Sequence, residues 1–191
     1  MKFIMRTTYE RKDLGSYFRD IPDLEMSAIE EKCAYKNFQN ALKIAGEESA
    51  LHLEDDIILC DNFLERIMAV VEARSSDFIQ FYSGNVKDDF RIGTRYERGE
   101  RFCMAQCFYT PKGMSAEILK FSYTNHYAFE PGAFLDLMVA EYLKARRLKY
   151  LVVCPSLVDH KVGVSLIDPK RKKRTSKNFI GGKESIYRKT N

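Results

Sequence analysis

The run Ala50-Leu51-His52-Leu53 stops at three consecutive acids, Glu54-Asp55-Asp56. No other junction in the chain restricts the possible folds as much. The apolar run reads as a buried strand, and three adjacent carboxylates at its end repel one another. Water can answer that repulsion, if the acids form a solvated loop leading into a helix. A cation can answer it as well. Hard divalent ions such as Mn²⁺ or Mg²⁺ bind carboxylates together with substrate phosphates. Ligands also gather at the carboxyl ends of strands in open α/β sheets.

The remaining pattern alternates strands with helices. Strands are expected at Lys2 to Met5, Ala50 to Leu53, Phe78 to Tyr82, Phe102 to Tyr109 and Tyr150 to Pro155. Helices are expected from about Ala28 to Ala45, from a cap at Asp61 to about Arg74, from Pro111 to about Phe121, and from Phe134 to Arg146. Thr7 to Arg11 reads as a loop, Val86 to Arg101 as a mobile loop or hairpin, and Asp159-His160 as a loop after the last strand. This succession implies an α/β layered domain; the expected form is a single Rossmann-like domain with a mixed central sheet flanked by helices.

Composition narrows the class. With 45% apolar and 30% charged residues the chain is neither disordered nor embedded in a membrane in bulk. Its longest apolar stretches are too short to span a bilayer, and Met1 to Met5 lacks a signal-peptide core. The cysteines Cys33, Cys60, Cys103, Cys107 and Cys154 contain no CxxC pair, which favours a reducing compartment. A cytoplasmic protein without a transmembrane segment is therefore expected.

Charge is unevenly spread. Residues 169–191 carry nine Lys or Arg and one acid, whereas residues 1–168 carry 22 basic and 26 acidic side chains. The expected organisation is thus a mildly acidic body, 1–168, and a basic tail, 169–191. The tail run Lys170 to Arg174 can be a solvated arm, a binder of nucleic acid or an anionic surface, or a segment that folds over a phosphate site. His160 follows Asp159 and can complete a carboxylate metal site or simply face solvent. His52, inside a strand, reads as structural, and His126 gives no signal of its own.

Leu51 to Ile57 resembles the metal-binding motif of glycosyltransferases with the glycosyltransferase-A fold. It is most similar to the EDD form of their DxD signature, found in lipooligosaccharide and collagen-type galactosyltransferases and in small phage or bacterial glycosyltransferases. Met104 to Gly113 is similar to the strand-turn-helix that lines their sugar and acceptor site. Pro131 to Tyr142 resembles the segment supplying a carboxylate near the acceptor. Pro155 to Ser165 resembles their closing P-x-L-V-x-H-x-G-x-x-S pattern. The chain departs from many relatives in having no tryptophan.

The resemblance implies a metal-dependent transfer of sugar from a nucleoside-diphosphate donor, UDP-linked by preference, to a hydroxyl acceptor. Mn²⁺ or Mg²⁺ would be held by Asp56 and His160, with Glu54 and Asp55 toward ribose, sugar or metal-bound water. Arg6, Thr7, Thr8 and Arg11 would meet the nucleotide, and Gln106, Lys161, Ser165 and Arg174 would complete the donor site. Asn37, Asn40 and Ser83 to Asn85 are further possible donor contacts. Asp136 is the candidate base, with Glu130 its rival. Two alternatives stay open. One is a phosphoryl-transfer enzyme or nuclease that adds Asp88-Asp89 to the acids; the other is a glycosyltransferase acting on DNA through its tail.

Overall fold

The computed structural model describes residues 1–11, 18–29, 33–124, 135–161 and 175–181. Its elements, in chain order, are β1 (Lys2–Thr8), β2 (Leu24–Ile29), α1 (Ala34–Ala45), β3 (Ala50–Glu54), β4 (Ile57–Leu59), α2 (Phe63–Ala73), β5 (Ile79–Gln80), β6 (Gly93–Arg98), β7 (Cys107–Thr110), α3 (Met114–Thr124), α4 (Leu135–Ala145), β8 (Lys149–Cys154) and β9 (Val158–His160). Seven strands form one sheet in the order β2-β1-β3-β7-β5-β8-β6. β1 pairs in parallel with β2 and β3, and β5 with β8, while β7 and β6 run antiparallel to their neighbours. This is the expected mixed central sheet flanked by helices.

The period-2 alternation of strand side chains sorts the interior into two layers. Ile4, Ala50, Phe78, Phe108, Tyr150 and Val152 pack with side chains of α1, α3 and α4 on one face. Their sequence neighbours Phe3, Met5, Leu51, Ile79, Cys107, Tyr109, Leu151 and Val153 pack with α2 side chains on the other. A sheet buried on both faces needs near-continuous apolar strands, which is why the strand segments contain so few charges.

Several sequence expectations are corrected. Ala28 and Ile29 belong to β2, opposite Thr7 and Thr8, so α1 starts only at Ala34. Apolar residues of this kind suit either element, and pairing with β1 decides between them. Asp61 does not cap α2. Asn62 precedes that helix in the left-handed region (φ 55°), and no side-chain cap bond forms; asparagine tolerates this conformation better than most residues. β1 runs on through Thr8, and the regular parts of the expected Phe78 and Phe102 strands shrink to β5 and β7. Residues 86–101 are no local hairpin, because β6 pairs with the distant β8 at the sheet edge. Asp159 and His160 lie in a strand, β9, that pairs with β4.

Among the described residues no helix is long and apolar enough to cross a membrane. Residues 175–181 return to the body. The Ser176 amide donates to Asp159 Oδ1 at 2.9 Å, Asn178 bonds Ser156, and Phe179 packs against the α2-side layer.

Candidate metal centre

The centre is assembled from two short antiparallel strands. After β3 the chain turns at Asp55-Asp56 into β4, and β4 pairs with β9 in a register that sets Ile57 opposite His160. The Lys161 amide then donates to the Asp56 carbonyl at 2.7 Å. Residues 104 positions apart in sequence are thereby fixed side by side. His160 Nε2 lies 3.4 Å from Asp56 Oδ2. One ligand atom from each of Glu54, Asp56 and His160 falls within 4.8 Å of the others, and all three residues are partly exposed. His160 Nδ1 sits 3.1 Å from the Lys161 carbonyl. A proton on Nδ1 bonded to that carbonyl leaves the Nε2 lone pair toward the carboxylates, the orientation a metal ligand needs.

Beneath Glu54 lies Arg6, which is buried. Its guanidinium pairs with Glu54 Oε1 at 3.5 Å, donates to the Ala105 carbonyl, and stacks over the rings of Phe38 (5.3 Å) and Phe108 (5.6 Å). One guanidinium does not neutralise the site. Burial pushes the Glu54 carboxyl up to about 7, Arg6 pulls against that, and Asp56 and Asp136 push it further up. A divalent ion would reverse this balance, because a bound cation favours the ionised carboxylates.

The other residues singled out from sequence divide into those at the centre and those that brace it. Asp55 turns away from its two neighbours. It accepts from Thr7 Oγ1 at 2.7 Å and from Arg11 at 3.4 Å, and burial raises its carboxyl while the Thr7 bond opposes. Gln106 is buried next to Glu54, whose amide donates to the Gln106 carbonyl at 2.9 Å. Gln106 Oε1 and Thr8 Oγ1 are buried and have no hydrogen-bond partner among the described residues. Buried polar atoms are usually satisfied by protein or by ordered water. Lys161 contributes its backbone amide. Asp136, at the start of α4, accepts from the amides of Met104 (2.8 Å) and Ala105 (3.2 Å). It thereby holds a loop whose Met104 has φ 66°.

Asn37 and Asn40 prove internal. Asn37 donates to the Thr7 carbonyl and accepts from Ser27, and Asn40 bonds Ser27. Ser83 bonds Asp88, and Asn85 caps the turn at residues 86–88. His52 is the structural histidine expected of a strand interior. It stacks on Phe108 with centroids 4.8 Å apart, and burial with Arg6 nearby lowers its pKa to about 3. Ser165, Arg174, Glu130, His126 and the run Lys170 to Arg174 lie outside the described residues. The sequence reading missed Arg6 as a counter-charge. Its signal is a cation one residue past the end of an apolar run, Phe3-Ile4-Met5, on the same strand face as Ile4.

A polar cavity of about 80 Å³, lined among others by Gln80, Ser83, Asn85, Arg95 and Tyr150, shares no residue with this centre. It holds a few waters at most.

No family model and no curated protein matches the chain. Among solved structures the fold is similar to A197 from STIV. The two share 13% identity at a TM-score of 0.50, over 95% of this chain and 97% of that one. At this identity the likeness establishes the fold alone.

Proposed function

We propose that the protein is a divalent-metal-dependent glycosyltransferase that moves a sugar from a nucleoside-diphosphate donor, preferably a UDP-sugar, to a hydroxyl acceptor. The observation that carries the reading is the convergence of Glu54, Asp56 and His160 at the carboxyl end of β3. The resemblance of Leu51 to Ile57 and Pro155 to Ser165 to glycosyltransferase-A motifs supports it. So does a sheet of matching class. Two carboxylates and an imidazole suit Mn²⁺ or Mg²⁺. When bound, the ion supplies Lewis acidity toward the departing diphosphate.

The chain's own residues account for the rest. Asp56 and His160 would hold the ion, and Glu54 would supply the third ligand atom. Arg6 holds Glu54 in place, since its guanidinium is committed to that carboxylate and to Ala105. Thr7 and Arg11 fix Asp55 and with it the β1–β3 edge facing the nucleotide. Gln106 Oε1 and Thr8 Oγ1 offer open positions to donor hydroxyls. During transfer the bond from the sugar's anomeric carbon to the diphosphate breaks, with the electron pair leaving on phosphate. The acceptor oxygen forms the new bond, and its proton passes to a carboxylate. Asp136 is the proposed base, and the two amides it accepts from leave lone pairs on its oxygens.

The nuclease alternative loses ground on one observation. Asp88 is buried and spent on Arg95, Ser83 and Arg91, so it cannot extend the acid set as a second metal site requires. The direct test is hydrolysis and transfer from a panel of UDP-sugars with Mn²⁺. Asp56→Ala should abolish both while the protein stays folded. Unchanged turnover in that variant, or plasmid cleavage in place of donor turnover, would reject the proposal.

A further inference from the structure

The stretch Val86 to Arg101 sorts its side chains unusually. Phe90 is 99% exposed and Ile92 90%, with Val86 and Tyr96 exposed beside them. Isolated apolar residues on a surface are ordinary, but two large ones two positions apart, almost without contact to their own protein, form a projecting tip. Its charges are segregated too. Asp88 is buried, and Asp89 and Glu97 keep only 15% and 16% of their side-chain surface. Lys87, Arg91, Arg98 and Arg101 all face solvent. Three of the four acids of this stretch are withdrawn, Glu100 excepted, and of its five cations only Arg95 is withdrawn with them.

The tip is also braced. Asp88 receives Arg95 through two bonds of 2.7 Å and Ser83 through one of 2.6 Å. Its backbone carbonyl accepts from Asn178 at 2.5 Å and from the Arg91 amide at 3.0 Å. Lys177 pairs with Asp89 at 3.6 Å. A buried carboxylate–guanidinium pair fixes the loop that carries Phe90 and Ile92 into water.

We propose that this tip docks the protein onto an anionic lipid surface, with Phe90 and Ile92 entering the interface and the loop cations Lys87 and Arg91 meeting lipid phosphates. The chemistry fits that partner on two counts. Exposed cations in the same loop as exposed apolar side chains combine electrostatic attraction with partial insertion, the two signals that stable interfacial binding requires. A convex projection also suits a deformable bilayer better than a second copy of the chain. The adjoining edge strand β6 carries Arg95 and Glu97 on its inner side and Arg98 outside, which discourages strand-to-strand pairing. The proposal stands independently of the metal centre.

Flotation with vesicles of phosphatidylcholine and phosphatidylglycerol, about two to one, tests it. Wild type should float with these vesicles, bind pure phosphatidylcholine far less, and be released by about 0.5 M salt. Phe90→Ser with Ile92→Ser should weaken binding by roughly tenfold or more, and the charge reversal Lys87→Glu by about tenfold, both at an unchanged melting temperature. Absent flotation, or flotation indifferent to these variants while they stay folded, would overturn the proposal. So would a concentration-dependent dimer abolished by the serine pair, which would assign the tip to a second copy.

Discussion

Asp88 is buried and Glu54 partly exposed, yet burial acts on both carboxyls and the molecule answers it in opposite ways. Burial alone would raise Asp88, but hydrogen bonds from Arg95 and Ser83 overcome it and hold the carboxyl below the usual range. At Glu54 burial wins. Arg6 lies 3.5 Å away, Asp56 adds a like charge, and the carboxyl sits near 7. The first cluster is complete and serves to fix a loop. The second carries a charge imbalance that its own residues leave open, in an arrangement of two carboxylates and an imidazole. The fold thus satisfies a carboxylate completely at one place and only in part at another, and the proposed ion would act at the second.

This contrast can be broken experimentally, beginning where the effect is greatest. Asp88→Ala strips Arg95 of two bonds, leaving it only Glu97 at 2.9 Å among the described residues, and should cost about 3 kcal/mol in urea unfolding. A loss below about 1 kcal/mol would show that the cluster is not a brace. Saturating Mn²⁺, at about a hundred times its dissociation constant, should add about 2.7 kcal/mol to wild-type stability and nothing to Asp56→Ala. Equal gains in the two proteins would detach the ion from this centre. Asp136→Ala frees two backbone amides beside the positive-φ Met104 and should cost about 1–3 kcal/mol, whereas Asp136→Asn should keep much of the stability and lose transfer. Normal transfer by the Asn variant would remove Asp136 as base. The smallest effect is in pH. Asp88, with a folded pKa below its unfolded value, contributes stability that is present above the ordinary carboxylate range. That contribution disappears as pH falls through the lowered value. In acid titrations the wild type should therefore lose its advantage over Asp88→Ala only at the acid end, and a constant difference across the range would contradict this.

The sheet and the acids were legible in the sequence for a physical reason. Strands buried on both faces demand continuous apolar runs, and a run that ends in Glu54-Asp55-Asp56 announces its own interruption. β2 was not legible, because Ala28 and Ile29 satisfy a helix as readily as a strand until β1 lies beside them. The residue type of His160 left its place open between a carboxylate site and solvent, and the resemblance favoured the first. Spacing along the chain does not say that β9 pairs with β4, and that pairing is what brings the imidazole to Asp56. Arg6 and Asp88 were hidden for a related reason. Charged residues are normally exposed, and nothing local marks the ones that fold inward onto a partner.

Calorimetric titration of UDP into the protein, with Mn²⁺ and again with a chelator, tests the central claim most directly. Binding should appear with Mn²⁺, vanish in the chelator, and be lost in Asp56→Ala even with the ion present. Equal UDP binding with and without the ion, or no UDP binding under any condition, would contradict a metal-dependent donor site at Glu54, Asp56 and His160.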